Sequence, residues 1–325
     1  MEKILTISIA AYNVEKYIRQ LLDSLVIESI IDDLEILVVD DGGTDKTLEI
    51  VKEYSAKYPH SIFPVHKENG GYGSVINKSV ELATGKYFKQ LDGDDWFFTQ
   101  NLEKFIALLK RLEVDAVYTQ TNEVYERTDK IICCDRFPHL KEGVYQFSNA
   151  DFQKDITMHS TTVKTQILKE MNFHITEHCF YTDVEFVNLP LPYLNSFYVC
   201  HYPIYMYRLG RDGQSVSPEG IKKHYKEHIT IFWHLIDIYN SLDASEKNKR
   251  RVLMLRLRKE VVSQFKYFCM LETNMNHYKE LKDFAFKLKN ECPEALNEAK
   301  LYSKFVKLLC STRFLSYPLM KLLLN

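Results

Sequence analysis

The folds open to this chain are narrowed most by a rhythm in its first 112 residues, where short apolar runs alternate with stretches whose apolar residues recur at helical spacing. Ile4–Ala10, Leu34–Val39, Ile62–His66 and Tyr87–Leu91 have the length and content of buried strands. Between them, Val14, Tyr17, Ile18, Leu21, Leu22 and Leu25, and then Leu48, Val51 and Tyr54, line single helix faces. Strand and helix in alternation predict an α/β, Rossmann-like fold, a mostly parallel sheet flanked by crossover helices. Asn13 is expected to cap the first helix, Thr44 or Asp45 the second, and Gly85 to follow the third as its C′ residue. A helix over about Asn101–Leu112 and a strand over Ala116–Thr121 complete the regular part.

After Thr121 the alternation is lost, and an irregular α+β segment with strands at Phe197–Val199 and Ile204–Tyr207 is expected. From Glu219 onward helical spacing dominates, as in Ile229, Phe232, Trp233 and Ile236. The expected organisation is an α/β domain over 1–217, with halves 1–115 and 116–217, and an α-helical extension over 218–325.

Two of the strands end in acid. Open α/β sheets bind ligands in the crevice beyond the carboxyl ends of their strands. There Asp92-Gly93-Asp94-Asp95-Trp96 gathers three carboxylates, hard oxygen ligands suited to a divalent cation carrying a diphosphate. Asp94 is the first choice for a direct metal ligand, Asp92 for the ribose or the metal through water, and Asp95 for the cap of the next turn. Upstream, Asp40 can accept a hydrogen bond from a nucleobase N–H, Tyr12 can stack on the base, and Asn13 can touch the ligand. A turn and a helix start would explain Asp40-Asp41-Gly42 alone, and a solvated loop would explain the second cluster alone. Both at strand ends of one sheet favour a crevice.

Gly70-Gly71-Tyr72-Gly73 lacks the P-loop pattern and follows the third strand, so it reads as a loop bending against a nucleotide, with Asn77 and Lys78 a helical turn later. Asp183 is placed to take a proton from an acceptor hydroxyl, although a helix-start carboxylate favoured by the dipole needs no such role. In the polar stretch Tyr207–Ser217, Arg208 or Arg211 can close over phosphate oxygens, unless the stretch is only a linker. His159, His178 and His201 lack metal-ligand spacing and receive no role.

A net charge of −2 argues against a nucleic-acid footprint. Seven cysteines without a Cys-x-x-Cys pair indicate neither a zinc site nor a disulfide framework, which points to the cytosol. The first apolar run is too short for a signal peptide, and no run reaches the roughly 18 residues of a spanning helix.

With these residues in view, the chain resembles the family-two glycosyltransferases of the GT-A fold, especially bacterial enzymes that build surface polysaccharides such as capsules. The likeness lies in Ser8 through Tyr17, Val38 through Asp45, Asn69 through Asn77 and Asp92 through Trp96, in that order. It implies an inverting transferase that moves a sugar from a nucleotide-diphosphate donor, UDP-sugar first, to a glycan acceptor. It implies Mg²⁺ or Mn²⁺ at Asp94 and Asp92, and Asp183 as base. Donor contacts implied are Ala10, Tyr12, Asn13, Asp40, Asn69, Gly73, Asn77, Asp92, Gly93, Arg208 and Arg211. On this reading 1–115 holds the nucleotide sugar and 116–217 faces the acceptor. Ala11, Gly43, Thr182 and Ile76 depart from the commoner proline, serine, acid and arginine. Diphosphate contact then falls to Lys78, Lys89, Arg208 or the metal. A sugar nucleotidyltransferase would want a basic Gly-rich loop after the first strand, where Tyr12-Asn13-Val14-Glu15 offers none. A non-catalytic nucleotide-sugar or glycan-binding module is the alternative of another class.

From Lys300 to Asn325 there are five Lys or Arg and no Asp or Glu, interleaved with apolar residues. This end reads either as a helix packed on the protein or as a peripheral contact with the inner face of the cell membrane, near a lipid-linked acceptor.

Overall fold

The computed structural model describes residues 2–210 and 218–320. They fall into two compact units, one of Met1–Asp151 with Ile156–Arg211, the other of Phe152–Asp155 with Asp212–Asn325. The expected boundary at 217 lies outside the described residues.

In the first unit, β1 (Leu5–Ala11), β2 (Leu34–Asp41), β3 (Ile62–Lys67) and β4 (Tyr87–Asp92) stand in the order β3-β2-β1-β4, all parallel. Every residue of β2 is buried, which is why apolar residues occupy both of its faces rather than alternating, interrupted by Glu35, whose carboxylate accepts from Thr6 Oγ1 at 2.6 Å and Thr84 N at 2.7 Å, and closed by Asp40 and Asp41. Helices α1 (Ile18–Leu25), α2 (Thr47–Lys57) and α3 (Tyr72–Leu82) make the crossovers. Ile7, Ile9, Leu21, Leu25, Ile36 and Val38 belong to one core, joined by Phe105 and Leu109 of α4 (Thr99–Arg111).

Past β4 the sheet becomes mixed, continuing through β9 (Thr161–Lys164), β6 (Ala116–Tyr125), β10 (Ser196–Leu209) and the short β5 (Trp96–Phe97). β7 (Lys130–Cys134) pairs with β6, and β8 (Gly143–Gln146) with β10. The two strands expected near 197 and 204 are one 14-residue strand, parallel to β6 with register shifts around Pro203. Proline has no N–H for the ladder, so the irregularity falls where the ladder is weakest. It mimics a break in the sequence without making one.

The expected caps are corrected. Asn13 sits at φ 53, and its side-chain oxygen accepts from the backbone N–H of Thr44 at 2.8 Å and Asp45 at 3.3 Å, while α1 begins only at Ile18. It ties the β1 loop to the β2 loop instead of starting a helix. α3 ends at Leu82, and a Cβ on Gly85 would lie 2.6 Å from Thr6 N, so this glycine serves the close approach of the chain to β1. At α2 the N-cap position falls on Lys46, without a side-chain bond, rather than on Thr44 or Asp45, although Asp45 one residue earlier accepts from Thr47 N at 2.9 Å.

The second unit contains α7 (Pro218–Ser241), α8 (Lys247–Met270), α9 (Met275–Glu291), α10 (Pro293–Tyr302), α11 (Lys304–Ser311) and α12 (Tyr317–Met320). Phe232, Leu235, Leu257, Val261, Phe265, Leu281 and Phe284 form its buried interior. Asp155, 1% exposed, accepts from Arg256 at 3.0 Å and Lys259 at 2.5 Å, fixing its short segment to α8. No helix among the described residues is long and apolar enough to cross a membrane.

Gly73 in the first turn of α3 has no room for a side chain, since a Cβ there would lie 2.0 Å from Thr176 O. Gly73→Ala should cost about 1–3 kcal/mol, because the obstacle is backbone. Urea unfolding, with hydrogen exchange over residues 174–179, measures both the loss and the displaced loop.

Candidate active site

The acidic turn leaves β4 at Asp92 and folds back on β1. Gly93 N donates to Ala10 O at 3.1 Å, and a Cβ on Gly93 would lie 2.6 Å from that oxygen, so glycine is what allows the contact. Two side chains and one backbone amide then hold the carboxylates. Tyr72 Oη donates to Asp92 Oδ1 at 2.5 Å. Tyr205 Oη donates to Asp95 Oδ2 at 2.7 Å and accepts from Asp92 N at 3.0 Å. Arg208 N donates to Asp95 Oδ1 at 2.7 Å. Asp95 is therefore a buried brace, 1% exposed, rather than the expected cap of the next turn. Burial, then the neighbouring charges of Asp92 and Asp94, push its pKa well above the usual carboxylate range.

His159 joins this cluster from the turn before β9. Its ring stacks on Tyr207 with centroids 4.2 Å apart and meets the ring of Tyr205 edge-on at 4.8 Å. Asp92, Asp95 and His159 each offer a ligand atom, all within 4.8 Å of one another. Two carboxylates and an imidazole suit Mn²⁺, and the carboxylates suit Mg²⁺. The residues present thus fit a divalent cation. Asp94 stands half-buried on the same turn, its main-chain oxygen accepting from Arg208 Nε at 2.7 Å.

Beneath lies Lys89, fully buried, its ammonium donating to the main-chain oxygens of His159 at 2.9 Å and Thr161 at 3.1 Å. Desolvation lowers its pKa to about 7. A diphosphate contact from Lys89 is corrected on this ground, since the side chain points into the protein to support the His159 turn. Arg208 is also committed. It bonds Glu126 and Gln20, and its guanidinium stands 4.8 Å from the Tyr17 ring and 4.7 Å from the Trp96 ring. Lys78 pairs with Glu81 at 2.8 Å. Arg211 lies outside the described residues.

The nucleotide end is built around Asp40 and Asp41. Asp40 accepts from Gly43 N at 3.2 Å and pairs with His66 Nδ1 at 2.7 Å. Tyr12, 55% exposed beyond β1, leaves its ring open for stacking. Asp41 takes the N–H groups of Gly70 at 2.9 Å and Gly71 at 2.8 Å, so the glycine loop spends these amides on an internal carboxylate rather than on a phosphate. Asn69 braces the same turn by donating to Asp41 O at 2.9 Å. Asn77 donates to Ile175 O at 2.9 Å and accepts from Ile175 N at 2.9 Å, clipping down the 175–177 loop. That loop also rests on Glu185, which accepts from Thr176 N at 2.9 Å.

Asp183 lies in the first turn of α6 (Thr182–Asn188), entered through Tyr181 at φ 67. Burial raises the Tyr72 hydroxyl pKa well above its ordinary value, with Asp92 and then Asp183 adding to it. Asp183 adds likewise to the burial that raises Tyr207. Its charge is thus felt at the same cluster as Asp92. The structure brings together Ala10, Asp92, Gly93 and Asp94 at one edge of the sheet, places Asp183 in the first turn of α6, and sets Asn69, Gly73 and Asn77 to bracing neighbouring loops. Sequence reasoning missed Tyr72, His159, Tyr205 and Tyr207. No local spacing marks them, because their partners are 20 to 113 residues away in the chain.

A parallel sheet with carboxylates at its exit edge, extended by a mixed half, is the GT-A type of fold. The model of glycosyl transferase family 2 matches residues 6–175, just over half of the chain, and the chain belongs to that family. It is 28% identical over 273 residues to the minor teichoic acid biosynthesis protein GgaB of Bacillus subtilis, covering 80% of this chain and 29% of GgaB. It is 38% identical over 130 residues to the chondroitin synthase of Escherichia coli, covering 40% of this chain and 18% of that protein. The chain therefore spans less than a third of the length of either relative. Among solved structures it is similar to S. aureus TarS 1-349 in complex with UDP-GlcNAc, with TM-score 0.72 and 19% identity over 98% of this chain and 90% of TarS 1-349. The mannosyltransferase PcManGT from Pyrobaculum calidifontis, in complex with GDP-Man and Mn²⁺, gives TM-score 0.54 and 15% identity over 99% of this chain and 87% of that one.

Arg208→Met should destabilise the protein by about 1–2 kcal/mol, because it removes the guanidinium N–H groups from Asp94 O and Gln20, whereas Glu126 is exposed and stays solvated. Arg208→Lys should recover little of this, since one ammonium cannot replace a planar fork held between two rings. Urea denaturation of the three proteins tests both statements.

Proposed function

We propose that the enzyme transfers a sugar from a UDP-sugar to a hydroxyl of a bacterial cell-surface glycan, with inversion at the anomeric carbon. The observation that carries this is the meeting of Asp92 and His159 at the sheet edge, on a turn braced by Asp95, with Asp183 in the first turn of α6. TarS bound to UDP-GlcNAc, and to UDP in a second structure, supports a uridine donor.

In this reading Asp40, oriented by Gly43 N and His66, accepts from the base, and Tyr12 covers it. Asp92, kept in place by Tyr72 and Tyr205, serves the ribose and the cation. Mn²⁺ or Mg²⁺, when bound, supplies neutralisation of the charge that grows on the departing diphosphate. Asp94 and Asp92 are the carboxylates proposed to hold it, joined by His159. Asp95 belongs to the same geometric group, but its two oxygens already accept from Tyr205 and Arg208, which suits a brace better than a ligand. Asp183 takes the acceptor proton as the acceptor oxygen attacks the anomeric carbon and the bond to the diphosphate breaks. A lipid-linked acceptor would place this reaction at the inner face of the membrane.

Asp183→Asn should leave donor binding within about twofold and lower transfer by at least ~100-fold, as read by calorimetry beside product formation. Transfer at the parent rate would remove Asp183 from the role of base. Asp94→Asn and His159→Ala should each weaken Mn²⁺-dependent UDP binding by about 10-fold or more. The thermal shift with UDP and Mn²⁺ should exceed that with GDP, CDP or dTDP and collapse in EDTA. An equal UDP shift in EDTA would overturn the metal assignment.

A further inference from the structure

The last helices of the second unit have an outward face that glycosyl transfer does not use. On α11, Val306 and Leu309 are fully buried, while Lys304, Lys307, Leu308 and Ser311, spaced as one helix face, are exposed. The helix then closes with Arg313 N bonded to Cys310 O at 3.0 Å and Phe314 N bonded to Leu309 O at 2.9 Å. This is a Schellman arrangement with arginine where glycine is usual. Arg313 at φ 51 and Phe314 at φ 67 are both held in the left-handed region. The turn sends the Phe314 ring inward, with its centroid 6.0 Å from that of Phe265, and leaves Arg313, Leu315 (76% exposed) and Leu319 (66% exposed) in solvent. Leu301, at the end of α10, is 84% exposed. Between Glu298 and Met320 there is no acidic residue, whereas Lys300, Lys304, Lys307 and Arg313 lie there.

We propose that this face seats on an anionic lipid surface, its leucines entering the headgroup region and its lysines and arginine lying against lipid phosphates. Charge selects this occupant. A uniformly basic face repels a second copy of itself, whereas it complements a negatively charged plane over its whole extent. The backbone strain has the same direction, because two non-glycine residues are kept left-handed in a turn that hides one aromatic ring and exposes leucine on either side of it. The proposal stands apart from the assignment of donor and base.

Co-sedimentation of the full chain with phosphatidylglycerol–phosphatidylcholine vesicles, beside pure phosphatidylcholine vesicles, tests it. The protein should bind the anionic vesicles, bind the neutral ones at least ~10-fold less, and be largely released at about 1 M NaCl. Leu315→Glu combined with Leu319→Glu should lower the bound fraction at least ~10-fold, and the triple change Lys304→Gln, Lys307→Gln and Arg313→Gln should do the same. Unchanged melting temperatures and UDP-induced shifts would show that both variants remain folded. Failure of the parent protein to bind anionic vesicles, or equal binding by the leucine variant, would overturn the proposal. So would a dimer that the leucine variant disperses while vesicles bind neither protein. Loss of the UDP shift in the parent protein would instead count against the donor assignment alone.

Discussion

Three carboxylates within four residues repel one another, and the first unit depends on holding them together at the end of a buried strand. The donors that achieve this arrive from distant parts of the chain: Tyr72 from the start of α3, and Tyr205 with the backbone of Arg208 from β10. Each of them also has a structural engagement of its own. Tyr72 touches Met158, Tyr205 packs on Phe97, and Arg208 binds Glu126 and Gln20. The acidic turn is thus tied to α1, α3, β10 and the turn after β6 at once. Its geometry is a property of the whole unit, and a cation arriving there would meet ligands that need little reorganisation.

The alternating half of the fold was legible because burial on both faces of a parallel strand leaves an apolar run, and one-sided burial of a helix leaves a stripe. The acidic edge was legible for a related reason: Asp40 and Asp92 break such runs at their carboxyl ends. Family resemblance added Asp183, which its helix-start position alone would not have selected. What escaped were contacts whose partners are far apart in sequence. His159 carries no metal-ligand spacing and reaches Asp92 only through the pairing of β9 with β4. Asn13, Asn69 and Asn77 were recognisable as meaningful positions, yet their amides serve loop-to-loop bonds that polarity alone cannot distinguish from ligand contacts. Pro203 concealed the continuity of β10, because a bulge and a chain break look alike in sequence.

The tail illustrates how two sequence readings can share one segment. Val306, Leu309, Tyr317 and Met320 are buried in the second unit, and Tyr317 Oη donates to Phe268 O at 3.2 Å, as expected of a packed helix. Leu315 and Leu319 remain outward among basic residues, on the face that the proposed lipid contact would use. Packing on one side and exposure on the other are compatible, since the two roles use different faces of the same short helices.

The continuity of β10 limits how members built like this one can diverge. Tyr205 and Tyr207 point to one side of the strand, because successive residues alternate. Removing one residue upstream of them, after Pro203, would turn both rings away from His159 and move Arg208 off the acidic turn. Length variation within such proteins should therefore collect in the connections on either side of this strand and spare its second half, giving that stretch a fixed reading frame around which the neighbouring loops can change.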